Sequence, residues 1–321
     1  RSCEVFQPGG LYYGVNTQTK HIILADRKTL KCPNGIVLGT PGSGKSFFAK
    51  REMANAFFAT NDHILILDPE NEYTALTEQL HGQTIYLAPD SHSYLNPMDL
   101  DLSTDVGESP MLMQADFLLS QCELMMASYG NPLMPIEKSL IDRCISLVYR
   151  DYLKNPRPEN MPVLGDLYQC LREQHNSRAD DLATAMEIYV TGSLSYLNHR
   201  TNVDLNNRMV CYNTSKLGQG LKKLVMSNVQ KHIWQRTAVN RYAGITTRIF
   251  LDEFHLLLKE PQTAAYTAEI YKRFRKWNGI PTSLTQNVKD LLDSSEIENI
   301  LENSDFVLML NQGASDRNIL A

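Results

Sequence analysis

A glycine-rich segment at residues 39–46 has the residue types that bind phosphate groups. Its sequence, Gly39-Thr40-Pro41-Gly42-Ser43-Gly44-Lys45-Ser46, fits the pattern G-x-x-x-x-G-K-[ST] at every position. Glycines let the backbone wrap closely around a phosphate, the lysine reaches the β- and γ-phosphates, and the serine hydroxyl is a ligand of Mg²⁺. The sequence therefore predicts a site that binds ATP with Mg²⁺ and hydrolyses it. The residues expected to hold the nucleotide are Gly42, Ser43, Gly44, Lys45, Ser46 and Phe47.

Two apolar runs end in an aspartate that could serve the magnesium ion. Asp252 is followed directly by Glu253, whereas Asp68 is followed by Pro69. Adjacent carboxylates can divide the work, because an aspartate holds Mg²⁺ through its water while a glutamate orients and deprotonates the attacking water. We therefore predict Asp252 as the magnesium-side acid, together with Ser46, and Glu253 as the general base.

Two further polar side chains follow predicted strands. Gln286 comes directly after the run Ser283-Leu284-Thr285. Because the carboxyl ends of parallel strands line one crevice, its amide could sense the γ-phosphate or position the water; the alternative is a glutamine in a loop or a helix cap. Glu72 is either a carboxylate of the site or an acid favoured by the dipole at a helix N-terminus.

The elements that must position these side chains alternate between strands and helices. Short apolar runs predict strands at 35–38, 63–68 and 84–87, and helical spacing follows residue 47 to about residue 59. After a long interruption, strands are predicted at 209–212, 248–252, 281–285 and 305–310, with helices at 218–237, 262–277 and 287–302. This alternation indicates an α/β fold with a mainly parallel sheet flanked by helices.

The interruption is helical throughout. Residues 105–196 contain no convincing strand, and helices are predicted at 110–129, 135–153, 163–174 and 179–190. We interpret this segment as an all-α insertion, which also explains the long separation between Lys45 and Asp252. The predicted domains are a first core part at 1–104, the insertion at 105–196, and a second core part at 197–321.

Composition and residue spacing weigh against a highly basic nucleic-acid-binding protein, a membrane-spanning protein and a disulfide-rich or zinc-binding protein. The net charge of the 321 residues is −5, so the chain has no overall basic footprint for nucleic acid, although a local basic channel is compatible with it. No apolar run approaches the roughly 20 residues of a membrane-spanning helix. The six cysteines lie far apart and indicate reduced thiols rather than a zinc site or a disulfide framework. The start at Arg1, without an initiator methionine, indicates a piece of a longer protein.

Several short segments together resemble one family. They follow the phosphate loop in the order Asp68 to Tyr73, Asn96 to Asp99, Asp252 to His255, Thr285 to Asn287, and Ser315 to Arg317. In this set and order, the chain resembles the ATPase domain of the VirB/TraC-type ATPases of type IV secretion and conjugation systems. Those proteins are relatives of the FtsK and HerA DNA translocases.

The resemblance implies a RecA-like P-loop core of the additional-strand glutamate class that self-associates, often as a hexamer, with nucleotide at subunit borders. It implies a cytoplasmic protein at the inner face of the cell membrane that energises pilus assembly and substrate transfer beside other secretion-system subunits. Arg317 matches a late arginine of the family that contacts the γ-phosphate of a neighbouring subunit. Arg273 and Arg275 are the alternatives for that role.

Three functions compete. The leading hypothesis is an oligomeric motor ATPase of a secretion or conjugation machine. A DNA-pumping translocase or coupling protein of the same superfamily is the nearest alternative, and the acidic net charge weighs mildly against it. The third is a scaffold in which nucleotide only switches assembly; a predicted base at Glu253 argues against it, because a scaffold has no need of one.

Overall fold

A hairpin precedes the phosphate loop. The computed structural model describes residues 5–102, 109–126, 132–286 and 296–313. Strands β1 (Leu11–Val15) and β2 (Ile22–Ala25) pair antiparallel as a separate two-stranded sheet. This hairpin has no counterpart among the elements predicted from the sequence.

The predicted α/β fold is confirmed by a seven-stranded sheet. Its strands in chain order are β3 (Gly35–Leu38), β4 (His63–Asp68), β5 (Gln83–Tyr86), β6 (Met209–Asn213), β7 (Thr247–Leu251), β8 (Gly279–Thr285) and β9 (Phe306–Met309). The spatial order is β5-β6-β4-β7-β8-β3-β9. The pairs β6–β4, β4–β7, β7–β8, β8–β3 and β3–β9 are parallel. Strand β8 therefore separates the strand that leads into the phosphate loop from the strand that leads to Asp252.

Most α-helices fall close to their predicted positions; of the helix predicted at 287–302, the structure describes only the part from residue 296. In chain order they are α1 (Lys45–Ala59), α2 (Thr74–Gln79), α3 (Pro110–Met126), α4 (Pro135–Val148), α5 (Arg150–Lys154), α6 (Leu164–Arg172), α7 (Ser177–Val190), α8 (Gln219–Tyr242), α9 (Pro261–Phe274) and α10 (Glu296–Glu302). The helix predicted at 135–153 is two helices, because the chain breaks at Tyr149, whose hydroxyl donates to the backbone oxygen of Met98. Among the described helices, none combines the length and the apolar character needed to cross a bilayer.

The chain divides into two compact units. The first comprises Arg1–Thr84, Leu205–Asn213 and Arg236–Ala321, and the second comprises Ile85–Asp204 and Thr214–Gln235. The second unit contains α3 to α7 and the first part of α8. The bounds 105–196 predicted for an all-α insertion lie within this unit, and the three-part domain division stays a prediction.

Buried charges join α1 to the sheet within the first unit. Arg27 Nη1 lies 3.0 Å from Glu52 Oε1, and Arg248 Nη1 lies 3.4 Å from the same oxygen. Arg248 Nε also lies 2.8 Å from Asp62 Oδ2, and Arg27 donates to the Thr282 hydroxyl of β8. Glu52 belongs to α1 and Arg248 to β7, so these paired charges fix the helix after the phosphate loop against two neighbouring strands.

The Asn96 to Asp99 segment has a structural place in the second unit. The fully buried Asn96 donates from Nδ2 to the backbone oxygen of Pro162 at 2.8 Å. The Pro97 backbone oxygen accepts from Gln114 Nε2 at 2.9 Å and from Lys231 Nζ at 2.8 Å. This short segment therefore joins α3, α8 and the loop before α6 through buried hydrogen bonds, which are costly to leave unmade.

Candidate functional site

The phosphate loop connects a buried strand to a long helix. All four residues of β3 are buried, and α1 begins at Lys45. The turn requires left-handed backbone at Gly42 (φ 74°) and Gly44 (φ 97°), which glycine adopts without the steric cost that a Cβ would add. The helix N-terminus then faces the loop with unpaired amides and a partial positive charge, which favours an anion.

The loop has the shape and donors of a phosphate cradle. The Lys45 side chain is buried and donates from Nζ to the Gly39 backbone oxygen at 2.9 Å. A Cβ at Gly39 would meet the Ser43 hydroxyl and lie 3.0 Å from the Leu310 Cβ, so a larger residue would displace the Ser43 side chain. The Ser43 hydroxyl is itself buried and has no hydrogen-bond partner among the described residues. A buried hydroxyl without a partner, an ammonium group and a helix N-terminus together fit the triphosphate of a nucleotide.

The structure distinguishes the two aspartates that follow strands. Asp68 is fully buried, and its two carboxylate oxygens accept the backbone amides of Glu72 and Tyr73, both at 2.9 Å. This carboxylate therefore closes the loop after β4. Asp252 is also buried, but burial and the neighbouring charges of Glu253, Glu72 and Asp68 raise its pKa to about 7. A carboxylate whose ionised form is poorly compensated is suited to receive a cation.

Replacement of each aspartate by asparagine should affect stability differently, because the two carboxylates have different surroundings. We expect Asp68→Asn to lower the free energy of unfolding by about 1–3 kcal/mol, because an amide NH₂ would face a backbone N–H that needs an acceptor. Asp252→Asn should leave the melting temperature unchanged or raise it, since it removes a carboxylate that burial disfavours, while it impairs Mg²⁺-dependent turnover. Thermal unfolding of both variants measures the difference. A larger loss of stability in Asp252→Asn than in Asp68→Asn would contradict this assignment.

Glu253 has an unusual backbone and a tightly held side chain. Its dihedral angles, φ 45° and ψ 47°, lie in the left-handed region, which costs an L residue about 1–2 kcal/mol. Gln286 Nε2 donates to Glu253 Oε1 at 3.0 Å, and His255 Nδ1 lies 3.2 Å from Glu253 Oε2. Strained backbone of this kind concentrates at functional sites.

The electrostatic surroundings keep Glu253 ionised. The neighbouring imidazole of His255 contributes most to lowering the pKa of Glu253, and burial opposes it. The positive charge of Lys45 and the hydrogen bond from Gln286 lower that pKa further. The effect of Lys45 fits the sheet topology, in which the phosphate loop and Glu253 follow parallel strands and so lie at the same edge of the sheet. The structure thus brings Lys45, Glu253 and Gln286 together as the sequence predicts, and their chemical roles stay predictions.

The loop after β4 lies at the same edge of the sheet. The charge of Glu72 contributes to the raised pKa of Asp252, and the buried Tyr73 ring lies 5.8 Å from the ammonium of Lys50. Asn213, at the end of β6, donates to Asn71 Oδ1 at 2.6 Å and to Thr74 Oγ1 at 3.0 Å. Glu72 is exposed, and its predicted role in the site stays open between a site carboxylate and an acid near the start of α2.

The arginine candidates have different surroundings. Arg273 pairs with Glu269 at 3.0 Å, one turn earlier on α9, and Arg275 Nη1 lies 3.5 Å from Cys32 Sγ. Arg317 lies outside the described residues, as do residues 287–295. The assignment of a γ-phosphate arginine among these three therefore stays a prediction.

Sequence reasoning did not assign a role to His255. The residue was visible only as the last letter of Asp-Glu-Phe-His. Its contact with Glu253 depends on the left-handed backbone at Glu253 and on the 3-10 helix Phe254–Leu258 that follows. A spacing of two residues separates side chains on an α-helix, and along one face of a strand it leaves them about 6.5 Å apart. The pattern alone therefore did not indicate this contact.

Comparison with known proteins gives consistent results. The family model of the TraG P-loop domain matches residues 21–318. The structure of VirB4 of Thermoanaerobacter pseudethanolicus superposes with a TM-score of 0.86 at 23% identity, over 99% of this chain and 89% of that one. The bacterial conjugative coupling protein TrwB, in a form with sulphate, superposes with a TM-score of 0.62 at 13% identity, over 95% and 76% of the two chains. A structure of TrwB with ADP and Mg²⁺ superposes with a TM-score of 0.58 at 14% identity, over 92% and 73% of the two chains. No curated protein sequence matches the chain.

Proposed function

The chain belongs to the TraG P-loop domain family, and on this premise we propose that it hydrolyses ATP with Mg²⁺ as an oligomeric motor of a type IV secretion or conjugation machine. One observation carries the proposal of hydrolysis. The Glu253 carboxylate lies within the electrostatic influence of Lys45, with Oε1 accepting from Gln286 Nε2 and Oε2 lying 3.2 Å from His255 Nδ1. A protein that only binds nucleotide has no need of such a base.

The proposed chemistry assigns one task to each residue. The amides from Gly42 to Phe47 and the Lys45 ammonium bind the phosphates and balance the charge that grows on the γ-phosphoryl oxygens. Glu253 orients a water and accepts its proton as the water oxygen bonds to the γ-phosphorus. The bond from that phosphorus to the bridging oxygen of ADP breaks in the same displacement. Gln286 holds Glu253 and faces the γ-phosphate side of the site.

The residues proposed for Mg²⁺ are Ser46 and Asp252. A Mg²⁺ ion held by these residues would neutralise part of the negative charge of the phosphates. Ser46 follows Lys45 in the first turn of α1, and Asp252 follows β7, two strands away in the sheet order. The raised pKa of Asp252 fits a carboxylate whose negative charge is compensated by a cation.

A paired measurement tests the motor against its alternatives. Light scattering with and without ATP should show self-association, for which we propose a hexamer, and hydrolysis should follow the assembled fraction. If DNA strongly stimulates hydrolysis, the chain is a translocase or coupling protein instead. Assembly with nucleotide but without turnover would identify a scaffold. We further propose that the protein works at the cytoplasmic face of the inner membrane beside other secretion-system subunits.

Arg317 should act across a subunit border. We expect Arg317→Ala and Glu253→Gln each to have little activity alone, and a mixture of the two to regain part of the wild-type activity, because some borders would pair an intact arginine with an intact base. An arginine in this role contributes about 10³–10⁵ in rate in other nucleotide hydrolases. The measurement is phosphate release from mixed oligomers, with each variant alone as the control. If Arg317→Ala keeps full activity, the role passes to Arg273 or Arg275.

A further inference from the structure

We propose that His255 is a positioning residue for the Glu253 carboxylate, which it holds from the side opposite Gln286. The inference rests on the proposed function, since it names how the base of that reaction is oriented. It goes further by giving a task to a residue outside the phosphate loop and outside the pair of acids.

The geometry shows a carboxylate with one hydrogen bond, from Gln286, and one close nitrogen, that of His255. His255 Nδ1 lies 3.2 Å from Oε2, and Gln286 Nε2 lies 3.0 Å from Oε1. The two nitrogens come from different elements, the turn after β7 and the end of β8. The side chains of Glu253 and His255 are 13% and 15% exposed, so solvent competes little for this contact. The carboxylate cannot rotate about its last torsion without breaking both contacts.

The backbone explains why a residue two positions away can reach back. The left-handed conformation of Glu253 turns the chain out of the strand direction, and the Leu256 amide donates to the Glu253 backbone oxygen at 2.9 Å to close the turn. Phe254 is fully buried and anchors the turn between the two polar side chains. The left-handed backbone at Glu253 thus turns the chain so that the His255 side chain comes close to the Glu253 carboxylate.

This arrangement suits a general base. Neither Glu253 Oε2 nor His255 Nδ1 has a hydrogen-bond partner in the described part of the chain. A small rotation of an imidazole with its proton on Nδ1 lets it donate to Oε2 and leaves the second lone pair of that oxygen free. Because Gln286 holds the other oxygen, the plane of the carboxylate is fixed before water binds. A base held in its productive geometry avoids the loss of reaction rate that a displacement of about 1 Å would cause. Removal of His255 should therefore reduce the rate of the chemical step and spare nucleotide binding.

The test compares His255→Ala, His255→Asn and the matched control Lys259→Ala, an exposed side chain of the same segment. We expect His255→Ala to lower kcat about 10- to 100-fold, the usual effect of losing a group that orients a functional side chain. KM for ATP and the affinity for ADP with Mg²⁺ should change little. His255→Asn should restore part of kcat, because its amide nitrogen can replace Nδ1. Lys259→Ala should resemble the wild type.

A double-mutant cycle separates positioning from general loosening of the fold. In the Glu253→Gln background, His255→Ala should cause little further loss, since the group it orients is gone. An equal loss in both backgrounds, or an unchanged kcat in His255→Ala while the wild type hydrolyses ATP, would overturn this inference alone. A folded wild-type assembly without hydrolysis would overturn the proposed function and this inference with it.

Discussion

Replacement of Glu253 by glutamine is expected to reduce ATP turnover by about 10²-fold or more while nucleotide binding is retained, because a positioned base contributes about 10²–10⁴ in rate. The amide has nearly the shape of the carboxylate and cannot accept a proton from water. The phosphate loop follows a different strand, β3, and its own contacts are unchanged by the substitution, so the affinity for nucleotide should be preserved. Phosphate release at saturating ATP and the binding of a fluorescent ADP measure the two quantities.

The matched control is Glu298→Gln, the same change at an exposed position of α10. It should leave both turnover and binding unchanged. If Glu253→Gln hydrolyses ATP at the wild-type rate, Glu253 is not the base. Turnover and affinity that fall together would instead indicate that Glu253 holds the shape of the nucleotide site.

Replacement of Lys45 by alanine should remove nucleotide binding itself. The buried ammonium lies against the Gly39 backbone oxygen at the centre of the loop and is the principal cation there. Loss of a buried charge that pairs with an anion weakens binding by about 10²-fold or more. The measurement is the rise in melting temperature that ATP with Mg²⁺ produces. A ligand present at 100 times its Kd raises the free energy of unfolding by about 2.7 kcal/mol, which corresponds to a rise in melting temperature on the order of 5 °C for a chain of this size.

The variant should lose most of this thermal shift, whereas Lys216→Ala, at an exposed position of the second unit, should retain it. The melting temperature of Lys45→Ala without nucleotide should remain close to that of the wild type. If the shift persists unchanged in Lys45→Ala, the loop at residues 39–46 does not bind the nucleotide.

The sequence predicted the seven sheet strands well because their signals are local. Strands β3, β4, β6 and β7 are short runs dominated by apolar residues, as burial on both faces of a parallel sheet requires. The hairpin of β1 and β2 escaped prediction because a four-residue apolar run such as Ile22–Ala25 does not by itself distinguish a strand from a helix segment, and Val15 and Ile22 are exposed. The spatial order of the strands was also inaccessible, since it depends on contacts between distant segments.

The residues of the site also differ in how far the sequence could identify them. A contiguous motif identified the phosphate loop, and adjacency identified Asp252 with Glu253. The capping role of Asp68 required knowledge of where the Glu72 and Tyr73 amides point. The contact of His255 required the backbone conformation of Glu253. Sequence thus predicts chemistry that lies within one segment, and the structure adds chemistry that a turn brings together.

The charges between α1 and the sheet are hidden from counterions as well as from water. Arg27, Glu52 and Arg248 are each between 1% and 3% exposed. Dissolved salt screens exposed charges over about 10 Å at 0.1 M, but it has little access to charges inside a protein. The helix that follows the phosphate loop should therefore keep its orientation across a wide range of ionic strength. Attractions between exposed charged surfaces would weaken over the same range.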